Sequence, residues 1–185
     1  MKKLILLALC FTSMSRAQDP IFDPTMAITA YGLVNSPLGE EVDKIIDGDE
    51  TTKFLDFELG DGMGFTVNLG ATARTAFSMD ITTANDFPAR DPIDFEILGS
   101  NDGVGFTSVA TGSIVCIPDR FNTRSYMFAN SAAYLYYRVN FSEPCDPSGG
   151  TGIPSIQVAE VQLFEEVLGL SDAEIFEQQL RIFPN

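Results

Sequence analysis

DITTANDFPARDPIDFEILGSNDG, residues Asp80 to Gly103, is the stretch whose reading decides the fold. Leading into it, Phe77, Met79 and Ile81 alternate with Ser78, Asp80 and Thr82. Past its middle, Ile93, Phe95 and Ile97 alternate with Asp94 and Glu96. A period of two is what a sheet with one buried face demands, because successive side chains point to opposite sides. Between the two strands lies a polar loop, Ala84 to Pro92, with two prolines, two aspartates, an asparagine and an arginine. Ser100-Asn101-Asp102-Gly103 then forms a tight turn, where glycine accepts a positive φ without strain. Strand, loop, strand and turn predict a β-sandwich that displays loops at its end.

Working outward, Phe65, Val67 and Leu69 form an alternating strand, and Phe106 to Val109 continues the sheet past the turn. Ile114 to Ile117 reads as a short apolar strand ended by Pro118. Tyr134 to Phe141 is the most β-prone run, with Leu135, Tyr137, Val139 and Phe141 on one face. The last strand, Ile156 to Phe164, changes apolar phase at Ala159-Glu160, which predicts a bulge. Nearer the start, Asp19 to Pro37 is a proline-bearing lead-in containing the apolar run Ala27 to Val34. Asp47-Gly48-Asp49 is a sharp turn before a strand with Phe54, Leu55 and Phe57. Strand signals at short intervals, with no convincing helix between them, argue for an antiparallel sandwich.

The two ends differ from this body. Lys2 and Lys3, the apolar run Leu4 to Phe11, and Ser15-Arg16-Ala17 have the form of a secretory signal peptide, residues 1–17, cleaved before Gln18. The apolar run is too short to span a bilayer. Removing the leader's three basic residues leaves 8 Lys and Arg against 26 Asp and Glu, a formal −18. Such a surface repels phosphate backbones and anionic lipid, which disfavours nucleic acid and acidic membranes as partners. A body of 18–167, about 150 residues, is enough for one domain that buries roughly 70% of its extended-chain surface. Cys116 and Cys145 outlast the leader. In an exported chain a disulfide is the expectation, with two buried free thiols as the alternative. From Leu168 the composition shifts, with a capping-box pattern at Ser171 to Glu174 and a strand-like Arg181-Ile182-Phe183 before Pro184-Asn185.

SPLGEEVDKIIDGDETTKFLDF and ITTANDFPARDPIDFEILGSNDG, with the closing YYRVNF and IQVAEVQLFE, resemble the discoidin-like domains of bacterial secreted proteins. These belong to the galactose-binding-like superfamily, with coagulation factor 5/8 type C domains and family 32 carbohydrate-binding modules. The resemblance runs from Ser36 to Glu165 and implies a jelly-roll antiparallel β-sandwich. It also implies a structural calcium ion, held by Asp47, Asp49, Thr52 and Glu160 with main-chain oxygens from Lys44 and Ala159. Calcium takes six to eight oxygen ligands, which these residues offer. The residue types alone fit equally an acidic turn whose Asp47 bonds its own backbone. Phe54 stands where the wider superfamily often has tryptophan, and the chain has no tryptophan at all. The tail resembles the entry to a type IX secretion sorting domain. That implies a Bacteroidetes-type exported protein at the cell surface or outside it, its sorting domain beyond this sequence.

Carbohydrate binding is what the resemblance implies for function, with a glycan or polysaccharide as partner. The local candidates are Asn85, Asp86, Phe87 and Arg90. Arg and Asn can fork hydrogen bonds to sugar hydroxyls, and an aromatic ring can lie on the apolar face of a pyranose. Pairing of Asp86 with Arg90, or of Arg90 with Asp91, would merely stiffen the loop. Two other classes compete: an adhesive module contacting protein or matrix, and a carboxylate-based hydrolase. The chain has no histidine, so His-dependent triads are excluded, and no two carboxylates stand out as an acid/base pair.

Overall fold

The computed structural model describes residues 18–58 and 62–166. Residues 1–17, expected to be a leader, and 168–185, expected to be a linker and sorting tail, lie outside the described residues. Asp19–Glu166 forms one compact unit.

Eleven strands are found among the described residues: β1 (Gln18–Pro20), β2 (Ala27–Tyr31), β3 (Phe54–Asp56), β4 (Met63–Asn68), β5 (Ala76–Thr82), β6 (Asp94–Ser100), β7 (Thr107–Ser113), β8 (Thr123–Met127), β9 (Tyr136–Phe141), β10 (Ile156–Val158) and β11 (Glu160–Glu166). They assemble as a four-stranded sheet β1-β11-β5-β8, a five-stranded sheet β2-β4-β9-β6-β7 and a small β3-β10 pair. Pairings within the five-stranded sheet, and those of β5 with β8 and β11, are antiparallel. The only helical pieces among the described residues are two 3-10 turns, Val42–Ile46 and Pro88–Arg90.

Alternation puts the core between the two large sheets. Phe65 and Val67 on β4, Phe95 and Ile97 on β6, and Tyr137, Val139 and Phe141 on β9 face Met79, Ile81, Val161 and Leu163 on β5 and β11. Ring contacts bridge the layers: Phe95 of β6 meets Tyr126 of β8 edge-on, with centroids 5.2 Å apart. The Tyr137 hydroxyl donates to the Arg74 carbonyl at 2.8 Å and accepts from the Ala76 amide at 3.0 Å. It joins β9 to the start of β5. Burial pushes this phenol up to about 12.

Two sequence expectations need correction. Ile114 to Ile117 is not a strand. Ile114 N–H still reaches the Ile93 carbonyl at 2.7 Å, but the neighbouring β6 begins at Asp94, so the residues beyond have no ladder to join. The strand there is β7, built from Thr, Ser, Ala, Val and Gly. The phase change at Ala159-Glu160 is not a bulge within one strand. Ile156–Val158 pairs with β3, whereas Glu160–Glu166 pairs with β5, so the chain changes sheets at Ala159. That change of partner reverses which side chains face the core.

Candidate functional site

The loop Ala84 to Pro92 runs from β5 in one sheet to β6 in the other, across the end of the sandwich. Three polar side chains hold it from different directions. Arg120 donates to the carbonyls of Asp86 (3.2 Å) and Ile117 (2.9 Å) and grips the Asp91 carboxylate with two nitrogens. Burial pushes the Asp91 carboxyl up, and the Arg120 guanidinium partly offsets that. Gln157 on β10 donates from beneath to the carbonyls of Asp86 and Phe87. Lys53, only 5% exposed, places its ammonium 2.6 Å from Asp86 Oδ1 and 3.1 Å from Gln157 Oε1, with Glu40 at 3.8 Å.

The ion pairs are therefore not those expected. Asp86 pairs with Lys53 and Asp91 with Arg120. Arg90 pairs with neither, because its side chain turns inward beneath the loop. It is buried, donates to the Gly149 carbonyl at 3.3 Å, and places its guanidinium carbon 4.4 Å from the Phe87 ring and 5.4 Å from the Phe57 ring. Arg90 supports the site from within and does not face solvent.

Phe87 sits on that support. Its backbone is left-handed, with φ 37°, uncommon for a bulky residue and a conformation that surrounding contacts must impose. Its ring is 42% exposed and backed by the guanidinium, and Asn85 beside it is exposed. The neighbouring loop, Glu143 to Pro154, is fastened alongside. Cys145 N–H donates to the Asp91 carbonyl at 2.7 Å and Asp146 N–H to the Ala89 carbonyl at 2.8 Å. Cys116 and Cys145 form a disulfide with Cα atoms 5.9 Å apart. Gly150 has φ 69° and runs so close that a Cβ there would stand 3.0 Å from the Ala89 side chain. An exposed ring on a fixed cationic base, with an amide beside it, can stack a flat apolar surface and hydrogen-bond its rim.

The acidic turn forms a second cluster. Thr52 Oγ1 lies 2.9 Å from Asp47 Oδ2 and 3.0 Å from the Asp49 carbonyl oxygen. Glu160, at the start of β11, accepts from the Gly48 amide at 3.0 Å. Burial, together with the facing Asp47, pushes the Glu160 carboxyl up to about 8. The Asp49 carboxylate turns instead to the Thr51 amide (2.9 Å) and hydroxyl (2.6 Å), which hold its pKa low. Lys44 Nζ lies 3.4 Å from Asp47 Oδ2, and Ala159 N–H donates to the Thr82 carbonyl. Among the described residues no three carboxylate, thiol or imidazole groups converge. The turn offers two facing carboxylates, a hydroxyl and a main-chain oxygen.

Solved structures with the same architecture are numerous. The family 32 carbohydrate-binding module of Clostridium perfringens NanJ, in complex with galactose, superposes with a TM-score of 0.63 at 20% identity, covering 80% of this chain and 100% of that one. The F5/8 type C domain of a Bacteroides fragilis protein gives 0.64 at 10% identity, covering 82% and 98%. A chitosan-binding module from a Paenibacillus chitosanase/glucanase gives 0.56 at 22%, covering 75% and 93%. The fold is the galactose-binding-like β-sandwich. No protein-family model matches the chain, and no curated protein matches it in sequence.

Lys53, Arg120 and Gln157 did not stand out in the sequence as parts of this site. The one available signal was scarcity: beyond residue 17 the chain has 8 cationic side chains against 26 acidic ones. Lys53 and Arg120 each meet a carboxylate, whereas the buried Arg90 meets rings and a carbonyl instead.

Proposed function

We propose that this chain is an exported, non-catalytic glycan-binding module whose sugar site lies at the loop end, around Phe87 and Asn85. The observation that carries the reading is the exposed Phe87 ring, held left-handed and backed by the buried Arg90. A pyranose lays an apolar face on such a ring while its equatorial hydroxyls meet the Asn85 amide. Three of the structural neighbours were solved with sugars: galactose, GalNAc-β-1,3-galactose and an unsaturated mannuronic acid. Their sugars differ, so they support the class and leave the individual sugar to experiment.

Catalysis fits poorly at this end. Hydrolysis needs two carboxyl groups free to act on one bond, whereas Asp86 and Asp91 are each held by a buried or half-buried cation. The exported location rests on the leader, and the acidic surface favours a neutral or cationic partner over a nucleic acid.

The acidic turn would hold the structural calcium. Asp47, Glu160, Thr52 and the Asp49 carbonyl supply oxygen alone, the donor chemistry of a hard cation, with main-chain oxygens of Lys44 and Ala159 completing the expected set. Two facing carboxylates, one of them pushed up to about 8 by burial and by the other's charge, are what a divalent cation relieves. Its role would be to fasten the 47–52 turn to the start of β11.

A glycan array run with calcium present tests the function. The expected result is retention on a discrete set of glycans, abolished by Phe87→Ala. Absence of any retained glycan, with binding to an extracellular-matrix protein instead, would replace the reading with an adhesive module.

A further inference from the structure

A groove crosses the outward face of the five-stranded sheet and uses none of the residues assigned above. Strand register places Tyr31 (β2), Gly64 (β4), Asn140 (β9), Glu96 (β6) and Thr111 (β7) opposite one another, one per strand. With neighbouring strands about 4.8 Å apart, the row runs about 19 Å across the sheet. Tyr31, Glu96, Thr111 and Asn140, with Asp94 and Ser142, line an open groove of about 620 Å³.

Glycine at position 64 shapes its floor. A Cβ there would stand 2.5 Å from Asn140 Oδ1 and 2.8 Å from the Val139 carbonyl, so only glycine lets the carboxamide lie across β4. Asn140 Oδ1 is shielded from solvent and has no partner among the described residues. The Glu96 carboxylate and the Thr111 and Tyr31 hydroxyls likewise make no hydrogen bond or ion pair among the described residues. In the next row the Arg138 guanidinium is clamped between the Tyr31 and Phe106 rings, 4.3 and 3.9 Å from their centroids, and donates to Thr66. Tyr31 is thereby held in place.

We propose that this groove is a second glycan-binding surface, taking an oligosaccharide that carries protonated amino groups. The argument is charge. Asp94 and Glu96 are the charged side chains in the lining, and Asp94 is already engaged by the Ser142 amide and hydroxyl. The Glu96 carboxylate is left without a partner among the described residues. A neutral sugar would desolvate it uncompensated and an anionic sugar would repel it, whereas an ammonium pairs with it. Tyr31 offers a ring for a pyranose, and Asn140 and Thr111 offer hydrogen bonds to its hydroxyls.

The test is calorimetric titration of the whole chain with a β-1,4-glucosamine hexamer at pH 6, and with its fully N-acetylated counterpart. Wild-type protein should bind the amino form at least tenfold more tightly. Glu96→Gln should weaken it at least tenfold and Thr111→Arg should abolish it. Asp119→Asn, the same charge change on an exposed loop, should change it by less than twofold. Absence of binding overturns the proposal. So does equal weakening by Glu96→Gln and Asp119→Asn, which would mark general attraction to an acidic surface. Loss in Phe87→Ala with full retention in Thr111→Arg would also overturn it, by placing the sugar at the loop end.

Discussion

Replacing Lys53 with methionine removes the charge that ties three segments together and keeps the apolar stem. The ammonium reaches Asp86 at 2.6 Å on the central loop, Gln157 at 3.1 Å on β10 and Glu40 at 3.8 Å just before the Val42–Ile46 turn. Breaking a fully buried pair costs about 3–5 kcal/mol, because the partner is left charged and unpaired. Here Lys53 is 5% exposed but the Asp86 side chain is 40% exposed, so water recovers part of that loss. Roughly 2–3 kcal/mol should remain, or about 4–12 °C in Tm for a domain of this size. A double-mutant cycle with Asp86→Asn isolates the pair from the packing. Urea unfolding of the four proteins should give a coupling of about 1–2 kcal/mol. A coupling below about 0.5 kcal/mol would refute the reasoning and make the pair an ordinary surface bridge.

Chelation should lower Tm, and calcium at about a hundred times its Kd should restore about 2.7 kcal/mol. Asp47→Ala should remove that dependence, and melting curves insensitive to both chelator and calcium would leave only an acidic turn. Replacing Cys116 and Cys145 with serine opens a loop spanning 29 residues and should cost about 3–4 kcal/mol in denaturant unfolding; a loss under about 1 kcal/mol would show that the hydrogen bonds of Cys145 and Asp146 hold the loop unaided. Tyr137 makes alkaline stability pH-dependent. Its folded pKa, about 12, lies above the usual 10, so the neutral phenol favours the fold fully below pH 10 and this contribution is lost as pH rises through 12. Tyr137→Phe should flatten that decline and cost about 1–3 kcal/mol at neutral pH, by removing the acceptor of the Ala76 amide and one of the two donors to the Arg74 carbonyl.

The strands with strict alternation were legible because burial on one face imposes the period directly: β4, β5, β6 and β9 all lie where Phe65, Met79, Phe95 and Val139 alternate with polar neighbours. Of β7 and β8 only the start of β7 was legible, in the reading of Phe106 to Val109. β7 and β8 carry Thr, Ser, Gly and Arg, and their order comes from hydrogen bonds to β6 and β5, which leave no apolar pattern. Ile114 to Ile117 misled for the converse reason, an apolar run with no strand left to pair. At the loop end the sequence named Phe87 and Asn85, which the fold leaves exposed, but misplaced the ion pairs. Asp86 is 33 residues from Lys53, and Asp91 is 29 from Arg120, and local spacing is silent on partners so distant. Arg90 looked like a ligand donor because a loop arginine is normally exposed; here the Phe87 and Phe57 rings make a buried seat for it.

The central claim is that glycan binds at the loop end. Amide chemical-shift mapping of the calcium-loaded chain, titrated with the neutral glycan best retained on the array, addresses it most directly. The account predicts perturbations concentrated at Asn85 to Arg90 and Gly149 to Thr151, absent in Phe87→Ala. Saturating shifts elsewhere, with those amides unmoved, would contradict it.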